Sequence, residues 1–343
     1  MKHLLNTLYV TTQGAYLCQE GETVHVRVER ETKLRLPIHT LGGIVCFGQV
    51  SCSPPLLGMC AEHGVAVSFL NEHGRFWARV QGPVSGNVLL RREQYRWADR
   101  PERSAEVARA IITAKLANSR NVLLRAARER EGDDPAAELS AAANHLAALL
   151  RTVQRPADLD ALRGIEGDGA RAYFGVFNHL ITAQKDAFSF GDRNRRPPLD
   201  NVNALLSFIY TLLAHDVRGA LEGVGLDPSV GFLHRDRPGR PSLALDMMEE
   251  LRSVLADRLV LSLINRQQVR GKGFEQSETG AVTMDDATRK EVLVAYQKRK
   301  QEEITHPFLD EKISVGLLPH VQAMLLARQI RGDLDGYPPF LWK

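Results

Sequence analysis

The feature that most constrains this chain is a change of hydrophobic period near residues 82 to 104. Before it, Val24-His25-Val26-Arg27-Val28 alternates as a half-buried strand does, and Val65–Leu70 and Phe76–Val80 are short apolar runs closed by turns at Gly64, Gly74 and Gly82. One short helix fits near Pro55 to His63 within this β-rich stretch. After Gly82-Pro83 and Ser85-Gly86 the chain becomes rich in Ala, Leu and Arg at helical spacing. Val107, Ile111 and Ala114 share one face, with Ile112, Leu116 and Leu123 beside it. The pattern predicts helices near 104–130, 136–153, 167–182, 202–218, 243–265, 285–303 and 312–331. The expected fold is therefore α+β, with a small N-terminal β-sheet domain over residues 1–85 followed by a larger all-α domain over 86–343.

At 343 residues the chain is long enough for two domains, and 44% apolar with 25% charged residues is the composition of a globular protein. Neither a bilayer-spanning apolar run nor a secretory signal layout is present in the sequence, which predicts a cytoplasmic protein without membrane association. The four cysteines, Cys18, Cys46, Cys52 and Cys60, show no Cys-x-x-Cys spacing and are expected to be reduced thiols.

The net charge of +3 is unevenly distributed. Arg91 to Arg130 holds eleven basic against five acidic residues, and Arg289 to Lys300 holds five against one. Such surpluses suit a phosphate backbone, and they equally suit the solvated faces of ordinary helices. Two polar loops, Asp192–Pro198 and Arg270–Gly280, are expected to be mobile without substrate.

Three segments carry the chemistry. Gly164-Ile165-Glu166-Gly167-Asp168-Gly169-Ala170 places a carboxylate among residues of little bulk. That pattern suits close backbone approach, and it also suits a helix N-terminus where Glu166 and Asp168 favour the dipole. Gly231-Phe232-Leu233-His234 sets a histidine before the basic turn Arg235–Arg240; His234 is either an interior hydrogen-bonding residue or a ligand. Asp246, Glu249 and Glu250 fall at i, i+3 and i+4, where like charges repel unless solvent, Arg252 or a cation neutralises them. One imidazole and two carboxylates from separate segments form a mixed nitrogen and oxygen set that suits a divalent cation such as Mn²⁺. Asn203, Ser207 and Tyr210, at i, i+4 and i+7, make a polar stripe on an apolar helix and are expected either to wall the same site or to form a packing network.

These segments resemble the integrase of CRISPR adaptation, the first of the Cas proteins. The resemblance rests on four matches in order. They are Gly-Ile-Glu-Gly ending in Arg171-Ala172-Tyr173-Phe174, then Arg196-Pro197-Pro198-Leu199-Asp200-Asn201-Val202-Asn203, then Gly231–His234, then Gly239-Arg240-Pro241-Ser242 through Glu249. Lys115–Arg120 extends it, and the N-terminal sheet region matches loosely. The resemblance implies a β-domain joined to a helical catalytic domain, with the metal, Mn²⁺ or Mg²⁺, held by Glu166, His234 and Glu249. The third position is often Asp in that family; Glu here leaves Asp246 and Glu250 as rivals. It further implies a homodimeric DNA endonuclease and integrase acting on double-stranded DNA with a small ferredoxin-like second adaptation protein. Short fragments would be inserted at a leader-repeat junction by attack of a 3′-hydroxyl, with Tyr210 as a positioning or leaving-group contact. The ending Tyr337–Lys343 resembles that of the type I-C branch.

A general metal-dependent nuclease and a non-catalytic DNA-binding scaffold are the competing readings. Lys115, Arg120, Arg195, Arg196 and Lys298 are expected to contact phosphates. The aromatic ending Tyr337–Trp342 is expected to pack against protein, its own body first. On the acidic helix, Glu249 is expected to be indispensable, Asp246 intermediate and Glu250 dispensable.

Overall fold

The computed structural model describes residues 5–72, 74–80, 82, 88–130, 134–194 and 197–342. The expected boundary at 85/86 and two of the expected phosphate contacts, Arg195 and Arg196, lie outside them.

The first eighty residues form two four-stranded sheets. In one, Asn6–Val10, Leu41–Phe47 and Ala66–Leu70 run parallel and Phe76–Val80 closes the edge antiparallel. In the other, Glu31–Pro37, Thr23–Val28 and Tyr16–Glu20 form a meander that Ser51–Cys52 joins in parallel. Helix α1 (Pro54–Glu62) starts where the Ser53 hydroxyl accepts from Leu56 N at 3.3 Å and proline occupies the first turn. Leu17 and Val24 of one sheet, Ile44 and Val67 of the other, and Leu56 of α1 share one small core. The four cysteines are free, and all but the half-buried Cys52 are buried.

The helical part comprises α2 (Val88–Ala98), α3 (Pro101–Arg128), α4 (Asp134–Val153), α5 (Leu159–Gly175), α6 (Asn201–Val224), α7 (Ser242–Leu251), α8 (Arg258–Asn265), α9 (Asp286–Gln301) and α10 (Leu318–Arg331). Aspartates cap three of them: Asp158 accepts from Ala161 N at 2.8 Å, Asp200 from Asn203 N at 2.7 Å and Asp285 from Thr288 N at 2.7 Å. Among the described residues, no helix is long and apolar enough to cross a membrane.

Strand Leu41–Phe47 is buried on both faces. Ile44 and Cys46 point into the small core, while Val45 and Phe47 point into the large core of the helices. Phe47 meets Phe208 of α6 at a centroid distance of 6.0 Å, and Ser68 Oγ lies 3.0 Å from His215 Nδ1. The sheet therefore shares the core of the helices rather than hanging from a linker.

Several expectations need correction. The helical part is not purely α: Phe274–Gln276 pairs with Val282–Met284, and Glu303–Thr305 with Lys312–Ser314. One strand of the first ribbon, Phe274–Gln276, lies inside the polar loop expected to be mobile. Helix α5 begins eight residues earlier than predicted, at the Asp158 cap, so Glu166 lies mid-helix and is not at an N-terminus. The stretch predicted as one helix over 243–265 is broken by a π-helical turn at Arg252–Asp257. Helix α10 starts only at Leu318, because Pro319 fits a first turn and not a helix interior. Helix α2 went unpredicted.

Candidate active site

Helix α3 is the spine of the site. Its inner face, with Val107, Ile111, Ile112 and Leu116 buried, packs against the neighbouring helices, and Lys115 stands at its middle, 12% exposed. Gly169 lets α5 approach it, since a Cβ there would collide with the Leu116 side chain. Gly167 meets nothing, so of the two glycines only Gly169 answers the expectation of close backbone approach.

That approach sets Glu166, one turn earlier on α5, against the Lys115 ammonium. From the other side α7 supplies Glu249, whose side chain is 2% exposed. Lys115 Nζ lies 2.8 Å from Glu249 Oε2, and Arg252 from the following π turn lies 3.0 Å from Oε1. Burial pushes the Glu249 carboxyl up, but Arg252, Lys115 and His234 together outweigh it and hold the group down to about 2. Burial likewise works against the Lys115 charge, and Glu249 and Glu166 overcome it, raising that ammonium above its ordinary value. Arg252 thus neutralises the acidic helix as its spacing allowed.

His234 reaches the site from a loop locked at its base. Asp246, fully buried, accepts from Phe232 N at 2.7 Å, Leu233 N at 2.9 Å, His234 N at 2.9 Å and His234 Nδ1 at 2.6 Å. Gly231 permits this closeness: a Cβ there would lie 2.7 Å from Asp246 Oδ2 and 2.8 Å from the Ser242 carbonyl carbon. With Nδ1 bonded to a carboxylate, Nε2 is the ring nitrogen left for a ligand, the arrangement found behind metal-bound histidines. Asp246 orients His234, and its oxygens are taken by that loop. Glu250 points elsewhere. Its carboxylate accepts from Tyr337 OH and from Phe340 N at 2.7 Å, so the oxygens of both rivals of Glu249 are engaged within the protein.

The polar stripe on α6 joins the wall. Arg193 donates to Asn203 Oδ1 at 2.6 Å and to Ser207 Oγ at 3.1 Å. Tyr210 lies between the guanidinium groups of Arg193, 5.3 Å from its ring centroid, and Arg252, at 5.0 Å. Its hydroxyl donates to Asp257 Oδ1 at 2.6 Å, and burial pushes Asp257 up to about 6. Tyr210, Glu249, Lys115, Arg252 and Asp257 line one narrow pocket. Asp257 and the bridging role of Arg193 were missed; the signal for Asp257 was the helical spacing of Glu249, Arg252, Ser253 and Asp257 within an apolar run.

Lys115 needs a correction too, because it is spent between two carboxylates and does not stand on the surface. Lys298 is exposed as expected, whereas Arg120 is half-buried.

Among the described residues, no three acidic, histidine or cysteine side chains stand as a ready-made cation site. The Lys115 ammonium stands between Glu166 and Glu249. The donors themselves suit a divalent cation. Glu249 Oε2 is buried and receives no hydrogen bond of proper angle, although Lys115 is 2.8 Å away, and an imidazole nitrogen completes a mixed set.

Comparison with known proteins shows the family. Residues 8–298 match the family model of the CRISPR associated protein Cas1. A CRISPR-associated endonuclease Cas1 of Chlorobaculum tepidum is 60% identical over 343 residues, covering both chains completely. In fold, a Cas1 protein from Thermotoga maritima superposes with a TM-score of 0.82 at 22% identity, covering 98% of this chain and 100% of its own. A casposase bound to integration product gives 0.83 at 21% identity, with 99% and 95% covered. The family match spans both the sheets and most of the helices, and the chain belongs to the Cas1 family of CRISPR-associated endonucleases.

Proposed function

We propose that the chain is the integrase of CRISPR spacer acquisition, and that Glu166, His234 through Nε2, and Glu249 hold Mn²⁺ or Mg²⁺. The observation that carries the proposal is the convergence of Glu166 and Glu249, from helices far apart in sequence, on one buried ammonium beside an Asp246-oriented histidine. When bound, the cation polarises the scissile phosphate and stabilises charge on the attacking and leaving oxygens. The protein's own work is positional. Asp246 aims His234, Arg252 keeps Glu249 ionised, and Tyr210, held by Asp257, fixes the wall against which the phosphodiester lies.

The 3′-hydroxyl of the incoming strand forms the new ester bond while the 3′-oxygen of the target strand leaves. No covalent protein intermediate is needed, so His234 serves as a ligand and not as a nucleophile. Nitrogen ligation favours Mn²⁺ at least as well as Mg²⁺, which prefers oxygen ligands and retained water.

In this reading residues 1–85 carry assembly and 86–343 the chemistry. The protein works as a cytoplasmic homodimer on double-stranded DNA with a small ferredoxin-like second adaptation protein, at a leader-repeat junction. The ending Tyr337–Lys343 supports the type I-C branch. The basic turn at Arg235, Arg237 and Arg240 supports phosphate contact.

The test is joining of a labelled 3′-end to a leader-repeat duplex by Glu166→Ala, His234→Ala and Glu249→Ala, with folding checked by circular dichroism. Each is expected to lose roughly 10² to 10³ in rate, the scale of removing one electrostatic stabiliser. Cleavage without joining in the wild type would leave a general nuclease. Undiminished joining in all three variants would remove these residues from the site, and neither joining nor cleavage in the wild type, with DNA binding intact, would leave a scaffold.

A further inference from the structure

Helix α10 ends at Gly332, which takes a left-handed φ of +83°, and the last residues run without regular structure across α3 and α7. Tyr337 and Phe340 are buried, and the segment is bonded within its own chain. Apolar packing would account for those two rings. It does not account for where the polar atoms go.

Tyr337 OH and Phe340 N both donate to the Glu250 carboxylate, and Gln322 Nε2 donates to Tyr337 OH at 2.7 Å. Asn118, fully buried on α3, donates through Nδ2 to Glu250 O and to Phe340 O, each at 2.8 Å, and accepts from Trp342 N at 2.8 Å. Asn121 Nδ2 donates to Trp342 O at 2.7 Å, and Arg258, just after the π turn, lies 4.1 Å over the Trp342 ring. Two of the residues that receive the tail are thus the neighbour of Glu249 on α7 and, one turn from Lys115, a residue of α3.

We propose that Tyr337–Trp342 is a positioning strap for the active centre, which clamps α3 to α7 through Asn118 and Glu250 and so sets Glu249 against Lys115. The proposal rests on the reading of Glu249 as a metal-holding residue. Without the strap, Glu250 loses two donors and Asn118 two partners. Buried groups left unpaired in this way draw in water and shift the last turn of α7.

The experiment compares the full chain with a truncation lacking residues 337–343, with Tyr337→Phe, and with Glu249→Ala. It measures Mn²⁺ affinity from free Mn²⁺ by electron paramagnetic resonance, DNA affinity without metal, and kcat and KM for strand transfer. The truncated chain is expected to fold, to bind DNA within about twofold of the full chain, and to lose about 100-fold in kcat, the scale of a misplaced catalytic group. Its Mn²⁺ affinity is expected to fall about tenfold, one step of about 1.4 kcal/mol. A peptide of residues 333–343 added in trans is expected to restore both. Tyr337→Phe, which loses the bond to Glu250 and the one from Gln322, is expected to fall about tenfold in kcat with KM unchanged.

Wild-type kcat and Mn²⁺ affinity in a folded truncation, beside an inactive Glu249→Ala, would overturn the strap and leave the site reading intact. Loss of DNA binding in place of kcat would also overturn it, making the tail a DNA surface. If the truncation does not fold, Tyr337→Phe decides alone, and unchanged kcat and Mn²⁺ affinity there overturn the proposal. An active Glu249→Ala would instead remove the site reading on which the strap depends.

Discussion

Glu249 and Glu250 are neighbours in sequence, both fully or almost fully buried, and about 100° apart around one helix, yet they live in opposite surroundings. Glu249 faces the cations Lys115 and Arg252 and is held down to about 2. Glu250 faces only neutral donors, Tyr337 OH, Phe340 N and Gln322, so burial dominates and pushes it up to about 7. Burial is common to both. What differs is whether a formal charge compensates the desolvation, which neutral hydrogen bonds do only in part. One side of the helix thereby keeps an anion paired to Lys115 and Arg252, and the other holds the tail.

The sharpest way to break this comparison is to neutralise each carboxylate at constant shape. Glu249→Gln is expected to lose roughly 10² to 10³ in strand-transfer rate. Glu250→Gln is expected to lose less, about tenfold, because the amide keeps the shape while its nitrogen cannot accept from Tyr337 OH or Phe340 N. An active Glu249→Gln beside a dead Glu250→Gln would mean that the functional face of α7 has been read wrongly.

Next in size is the residue behind His234. Asp246→Ala is expected to weaken Mn²⁺ binding by about 10- to 100-fold, the usual cost of losing the carboxylate that orients a ligating histidine. Isothermal titration with Mn²⁺ measures this. Unchanged affinity would detach His234 from the metal.

On the Glu250 side the expected effect is on stability. Glu250→Ala leaves the buried Phe340 N–H and Tyr337 OH without their acceptor, at a cost of about 1 to 3 kcal/mol for such a group. Thermal melts check it, and an unshifted midpoint would show that the tail does not depend on this anchor. Dispensability of Glu250, expected from its position off the metal face, therefore applies to ligation and not to the fold.

The smallest effect is in pH dependence, and its sign separates the two residues. The Glu250 carboxyl has an ordinary value of 4.5 and stands at about 7 in the fold, so folding tightens its proton. The stability this contributes is complete below pH 4.5 and is lost as pH rises through about 7. Glu249 runs the other way: its contribution is complete above 4.5 and is lost as pH falls toward about 2. Melts between about pH 5 and 8 are expected to show a falling midpoint in the wild type that Glu250→Gln flattens. Parallel curves for the two proteins would refute the assignment.

The division into a β-rich beginning and a helical remainder was legible from hydrophobic period alone, because periods of 2 and 3.6 follow from backbone geometry. Strand Val65–Leu70, helix α1 and the core of α3 appear within one or two residues of their expected places. Helix ends were less legible. Asp158 capped α5 where Gly167 and Asp168 looked like a beginning, and the π turn at Arg252–Asp257 leaves no local mark. At the site, the three segments that carry Glu166, His234 and Glu249 were found from their unusual neighbours, and Gly169 and Gly231 owe those places to close packing visible only in the fold.

By itself the sequence determined which residues were available for chemistry: a histidine and carboxylates in three segments, an aromatic ending, and the period of each element. Tertiary structure alone decided their partners. Lys115 looked like a surface cation and became the buried counter-charge of Glu166 and Glu249, while Glu250 looked like a third acid and became the anchor of the tail. The physical reason is that the state of a buried charge depends on groups within a few ångströms, and residues 118, 166, 249 and 340 become neighbours only once the helices pack.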